Sequence, residues 1–140
     1  MIFLQNNRGV AAVELAIFLP ILTLLLFGSI EFGLLFYNQQ VITNASREGA
    51  RAGIVAGTKT SDIEQIVENY CDGKLINLMG SNELDSDLIT IPDADEDDYP
   101  DPDANNDLTV RVSYKYNFLL ASILGFTDKT LSAQTIMRME

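Results

Sequence analysis

Apolar residues are unevenly spread along this chain. Residues 10–37 read VAAVELAIFLPILTLLLFGSIEFGLLFY, and only Glu14 and Glu31 in that run carry charge. As a helix the run is roughly 42 Å long at 1.5 Å per residue. The hydrocarbon core of a bilayer is about 30 Å thick, so the pattern predicts a transmembrane helix over residues 10–37. Pro20 lies inside it, removes one helix hydrogen bond and predicts a local kink or loosening. Glu31 is placed near the outer membrane–water boundary, where its carboxylate is expected to snorkel to the headgroups. The helical pattern does not stop at Tyr37. NQQVITNASREGARAGIVAG follows with no clean break, so one helix is predicted from near Val10 to about Ala56. Ala45, Gly49, Gly53 and Gly57 recur every fourth position and share a face. A seam of such small residues lets another element approach closely. Arg47 and Arg51 lie on a different face, and Glu48 offsets part of the charge of Arg47.

The second half alternates between two periods. Ser61-Asp62-Ile63-Glu64 fits a capping box, with Ser61 as N-cap and Glu64 reaching back. Ile63, Ile66, Val67, Tyr70, Cys71, Leu75 and Leu78 then follow helical spacing. Gly73 weakens the second half of that helix, and Gly80 is its expected stop. Residues 87–91 predict a short strand. In LTVRVSYKY, Leu108, Val110, Val112, Tyr114 and Tyr116 face one side and polar residues face the other, the mark of a half-buried strand. Residues 130–140 alternate similarly, with Leu131, Ala133, Thr135, Met137 and Met139 on one face. The economical α+β arrangement is a three-stranded antiparallel sheet packed on the 45–57 face of the long helix and on the second helix. Residues 117–126, NFLLASILGF, are too apolar for an ordinary loop. They either complete the core or form an exposed patch that docks a partner or touches the outer leaflet.

Charge and composition remove several function classes. The 140 residues carry a net charge of −11, which argues against a nucleic-acid partner. There is no histidine, so the commonest general base and transition-metal ligand is missing. Cys71 stands alone and is expected as a buried small hydrophobe, the alternative being a cross-link between subunits. With no paired cysteine and no nucleophile elbow, the chain is expected not to be an enzyme and to need no cofactor. Eight of the sixteen residues in PDADEDDYPDPDANND, residues 92–107, are acidic, which predicts a solvated loop. Within it, Asp101, Asp103, Asn105 and Asp107 alternate as in a calcium loop. Val112 stands where the bidentate glutamate belongs, so a calcium site is the minority reading.

The amino terminus is unlike an ordinary secretory signal, whose apolar core is shorter and ends in a small-residue cleavage site. A cut between Gly9 and Val10 fits better. Residues 1–9 would be a leader, residues 10–37 the membrane helix, and residues 38–140 an extracytoplasmic domain with the acidic loop. Glu14 would then be the fifth residue of the mature chain. A carboxylate inside a membrane costs roughly 2.5–3.5 kcal/mol on insertion scales. The freed amine of Val10, in the same or a neighbouring subunit, would offset that and set the axial register of helices packed in a filament. Glu14 snorkelling to the inner headgroups is the competing account. Arg8 and the starting amine put the amino terminus on the cytoplasmic side, though Arg47, Arg51 and Lys59 weaken that argument.

These residues resemble the TadE-like family of minor pilins, the pseudopilins of Tad/Flp pilus systems. The features that carry the resemblance are Arg8-Gly9, Ala12-Val13-Glu14, Pro20, Glu31-Phe32-Gly33 and the block ASREGAR at residues 45–51. YKYNFLL and TLSAQTIMRME are similar, more weakly, to the family's closing strands. The resemblance implies a pilin-like fold and cleavage after Gly9 by a prepilin peptidase. It also implies work with other pilin subunits, an assembly ATPase and inner-membrane platform proteins, in a type II secretion-like machine. Leu15 follows Glu14 where major Flp pilins carry Tyr, and the chain has a soluble domain that those pilins lack. Both departures point to a minor subunit. A single-pass anchored binding domain, calcium-dependent or not, is the alternative.

Overall fold

A computed structural model describes residues 7–55, 57–80, 82, 84, 88–91, 98–100, 107–123, 125 and 128–138. The elements are α1 (Asn7–Gly53), α2 (Thr60–Cys71), β1 (Ile89–Thr90), β2 (Asp107–Asn117), α3 (Leu120–Ile123) and β3 (Asp128–Arg138). The strands form one antiparallel sheet in the order β1-β2-β3. The α+β architecture expected from the pattern is therefore present.

α1 is a single helix of 47 residues, about 70 Å long at 1.5 Å per residue. It runs unbroken through Pro20, whose ring leaves the Ala16 carbonyl without its usual donor. Every residue from Val10 to Phe27 is exposed. Ser29 folds its hydroxyl back onto the Leu25 carbonyl at 2.8 Å, which satisfies a donor that apolar surroundings would otherwise strand. From Glu31 upward one face of the same helix is buried, through Asn38, Ile42, Ala45, Ser46, Gly49 and Gly53. The helix ends at Gly53, earlier than the predicted Ala56. Gly57 lies beyond it at φ +87°, with open space around its Cα. Gly57 therefore belongs to the turn that brings the chain back, where a positive φ favours glycine, and not to the packing seam.

α2 returns antiparallel beside α1. It begins at Thr60 with Lys59 as N-cap, and the Asp62 carboxylate accepts from the Lys59 amide at 3.4 Å. The predicted box from Ser61 to Glu64 is displaced by two positions at both its start and its end. Ser61 is instead engaged from a distance. Asp98 accepts from the Ser61 hydroxyl at 2.7 Å and from its amide at 3.3 Å, while the Asp98 carbonyl accepts from the Thr60 amide at 2.9 Å. One member of the acidic stretch thus caps α2 from another part of the chain. The helix stops at Cys71, well before Gly80, because Gly73 takes φ +66°. Leu75 still reaches the core from the non-helical chain that follows, whereas Leu78 is exposed.

β2 alternates as predicted: Leu108, Val110, Val112, Tyr114 and Tyr116 are all buried. β3 pairs with it along its whole length, from Asp107↔Arg138 to Asn117↔Asp128. Leu131 and Ala133 of β3 are buried and Thr135 and Met137 partly so, while Met139 lies outside the described residues. β1 is only two residues long, shorter than the predicted 87–91 strand. The core forms where α1, α2 and the inner face of the sheet meet. Tyr114, Tyr116, Ile42, Ile63, Leu108 and Val67 are its largest enclosed side chains.

Candidate functional site

The lower helix carries the first group of candidate residues. Gly9, Val10, Val13, Glu14 and Ile17 form one shallow, exposed side of it. Val10 and Glu14 are four residues apart and so lie one above the other. Glu14 is the one charged residue between Val10 and Ile30, and it has no hydrogen-bond or ion-pair partner among the described residues. The exposed run over residues 10–30 is about 31 Å long at 1.5 Å per residue, close to the ~30 Å of a bilayer core. Its mean hydropathy reaches 2.5 and none of that apolar window is buried. One apolar helix of this kind fits a single-pass membrane anchor.

Glu31 marks the point where α1 meets the domain, and the expectation of a snorkelling side chain is wrong here. Glu31 is only 6 % exposed. Its carboxylate accepts from the Leu119 amide and, at 3.3 Å, from the Leu120 amide. These are donors at the start of α3 that no preceding carbonyl of the helix can satisfy. Burial is possible because the opposite wall is built of N–H groups. Tyr116 lies close by, in an edge-to-face contact with Phe118 (5.4 Å between ring centroids). Burial, and then the charge of Glu31, push the Tyr116 phenol above its ordinary range. The apolar 117–126 segment is thereby pinned to α1. Phe118 packs on the core, Leu119 and Leu120 are half-buried, and Leu124 and Phe126 lie outside the described residues.

Ala45, Gly49 and Gly53 are buried, and Gly49 and Gly53 lie against side chains of α2 and β2. A Cβ on Gly49 would come within 2.6 Å of a Val67 methyl, and one on Gly53 would strike Leu108 and come within 2.7 Å of Ile63. The seam thus serves packing inside the subunit. The block at residues 45–51 divides accordingly. Ala45, Ser46, Gly49 and Ala50 face inward, with Ser46 and Thr135 hydroxyls 2.8 Å apart, and Arg47 and Arg51 face out. Glu48 pairs with Arg51, through Nη2 at 2.5 Å and Nε at 3.1 Å, and not with its neighbour Arg47. That pair is well exposed and contributes little to stability.

Two residues that the pattern did not single out also hold the domain together. Asn38 is fully buried; its amide donates to the Ile76 carbonyl (2.6 Å) and accepts from the Ile76 amide (3.0 Å). It clamps the chain after α2 onto α1. Its signal was positional: it falls on the same helical face as Glu31, Ile42 and Ala45. Asn77 accepts from the Met79 amide at 3.2 Å and is itself met by Asn82.

Cys71 is fully buried, as its place on the apolar face of α2 predicted, so it is not presented for a cross-link in this fold. Burial raises its thiol from 9.0 to about 11, with Lys74 opposing weakly. The pH dependence follows in sign. In the unfolded chain the thiol ionises near its ordinary value, whereas in the fold it stays protonated. The stability it contributes is therefore complete below about pH 9 and lost as pH rises towards about 11. Burial raises Tyr114 and Tyr116 as well, which acts in the same direction. Thermal melts between these pH values are expected to show falling stability, with a shallower fall in Cys71→Ala. An identical fall in both proteins would remove Cys71 as a contributor.

Asp101, Asp103 and Asn105 of the proposed calcium loop lie outside the described residues, and Asp107 is the first residue of β2. Among the described residues no group of three or more His, Cys, Asp or Glu side chains is placed to hold a metal.

With this geometry in view, a comparison with known families is informative. Residues 9–51 match the model for TadE-like protein. The TadE-like stretch begins at Gly9 and ends at Arg51, so it coincides with α1 almost from end to end. It takes in Glu14, Pro20, Glu31 and the 45–51 block, and associates the chain with Tad pilus systems. Outside α1 the sheet and α2 fall beyond the TadE-like match. No curated protein and no solved structure gives a match to the chain.

Proposed function

We propose that this protein is a minor pilin, or pseudopilin, that acts in assembling or priming a Tad/Flp-type pilus or a related secretion machine. It is non-enzymatic. A prepilin peptidase cuts between Gly9 and Val10, and the amino terminus faces the cytoplasm with the domain outside. Its partners are other pilin subunits, the assembly platform and its ATPase, and membrane lipid.

One observation carries this reading: Glu14 stands alone on an exposed apolar helix, one turn above Val10, within the TadE-like stretch. An unpartnered carboxylate there calls for a cation, and the amine freed at Val10 is the nearest one the chemistry offers. The test is the amino terminus of the protein isolated from native membranes, read by intact mass and terminal sequencing. A start at Val10 supports prepilin processing. A start at Met1 would leave an anchored binding domain, and a start beyond Gly28 would remove the membrane helix from the mature protein altogether.

A further inference from the structure

The domain is polar from one end to the other, and the polarity follows α1. At its far end lie the start of α2, Asp98 and the start of β2. Asp98 and Glu68 sit near Glu64 and, after burial, help to hold its carboxyl above the usual range. Of the acidic 92–107 stretch, Asp98 and Asp107 are among the described residues and lie at this end. At the near end lie two segments that side chains of α1 hold in place. Glu31 holds the 118–120 chain, and Asn38 holds the 75–79 chain. Both anchors lie within about two helical turns of the point where the exposed apolar run stops.

What these near-end segments expose is apolar. Ile76 is 39 % exposed, Leu78 50 % and Met79 57 %; at the same height on α1, Phe32 and Phe36 are 62 % and 67 % exposed. Tyr37, 44 % exposed, adds an aromatic of the kind that gathers at membrane interfaces. Three of the four lysines, Lys74, Lys115 and Lys129, are also at this end. Lys115 lies 3.4 Å from Asp128, and Lys74 lies over the Tyr70 ring at 3.6 Å. Large exposed apolar side chains that cluster in this way mark a contact surface. Here the surface is continuous with the exposed helix, and Lys74, Lys115 and Lys129 rim it together with Asp72 and Asp128, while Glu64, Glu68 and Asp98 stand at the opposite pole. A lipid headgroup layer, with phosphates outside and acyl chains beneath, matches that arrangement.

We infer that the near end of the domain, with Ile76, Leu78, Met79, Phe32 and Phe36 at its surface, seats on the outer face of the bilayer that α1 crosses. The domain then stands at a fixed height with its acidic pole directed away from lipid. This rests on the membrane-anchor reading of α1. Buried Glu31 and Asn38 are positioning residues in it: each holds an apolar segment at the level where the helix leaves the acyl region.

The test uses the full chain in phosphatidylcholine vesicles that contain a spin-labelled phosphatidylcholine quencher. Single cysteines carry an environment-sensitive fluorophore in a Cys71→Ala background. Met79→Cys and Leu78→Cys are expected to lose most of their emission to the quencher. Tyr99→Cys, beside Asp98 at the acidic pole, is expected to keep it. Ile30→Cys reports the anchor. Quenching at Ile30→Cys with none at Met79→Cys or Leu78→Cys would overturn the seating and leave the anchor intact. No quenching at any position would overturn both. Emission at position 79 that responds to protein concentration and not to quencher would replace the lipid by a second protein.

Discussion

Glu14→Ala is expected to insert into the membrane at least as well as the native chain and to support no pilus assembly. The two effects have opposite signs and come from one charge. On insertion scales a carboxylate at mid-helix costs roughly 2.5–3.5 kcal/mol, so removing it relieves the single helix. In an assembled bundle the same carboxylate meets an amine. At 4 Å and an effective dielectric of 20, that attraction is about 4 kcal/mol per pair. The two magnitudes nearly cancel, so an isolated subunit tolerates Glu14 and only the correctly staggered neighbour compensates it. Glu14→Gln keeps the shape and loses the charge, and is expected to fail as Glu14→Ala does. Glu14→Asp keeps the charge on a shorter arm and should retain part of the activity. The measurement is surface pilus yield alongside the amount of subunit in the membrane fraction. Native pilus yield from Glu14→Ala would sink the pairing account.

Glu31→Leu is expected to destabilise the domain by roughly 2–4 kcal/mol, because a leucine leaves two inward-facing amides, those of Leu119 and Leu120, without an acceptor. In a domain of about 100 residues each kcal/mol shifts the melting temperature by roughly 4–8 °C, so a fall of about 8 °C or more should follow. Glu31→Gln still offers a carbonyl oxygen and is expected to lose much less. Near-ultraviolet dichroism of the tyrosines, on the full chain in detergent, isolates the domain transition from the long helix. If Glu31→Leu melts with the native protein, the carboxylate does not hold the segment.

The contrast between these two glutamates shows what the sequence could convey. Both stand out as charges in an apolar run, and pattern alone assigns both to a membrane helix. Glu14 stays exposed among apolar neighbours on α1. Glu31 does not, because its surroundings are supplied by residues 88 positions later, and no local period reports that. β2 was legible in full since its environment is the sheet itself: a period of two over nine residues leaves one register with Leu108 to Tyr116 inward. α2 was legible to Cys71 and misread beyond it. Leu75 keeps helical spacing by coincidence, and the chain there is governed by Gly73 and the Asn38 clamp. Its start was misplaced for a related reason, since Ser61 is held by Asp98, 37 positions further along the chain. The small-residue seam was found by its spacing, but its last member, Gly57, serves a turn that only φ reveals.

α1 is unbroken from Asn7 to Gly53, and that makes the subunit behave like a keyed shaft. Each residue advances the azimuth by about 100°, so the seventeen steps from Glu14 to Glu31 leave the two carboxylates about a quarter-turn apart. Whatever angle Glu14 takes towards a neighbouring subunit, the sheet is turned by the same fixed phase. Removing one residue from the exposed run would rotate the whole domain by about 100° against its membrane contacts, while removing seven would nearly restore the phase and lower the domain by about 10 Å. Angle and height are therefore separate settings of one helix, written in the number of residues between its two glutamates.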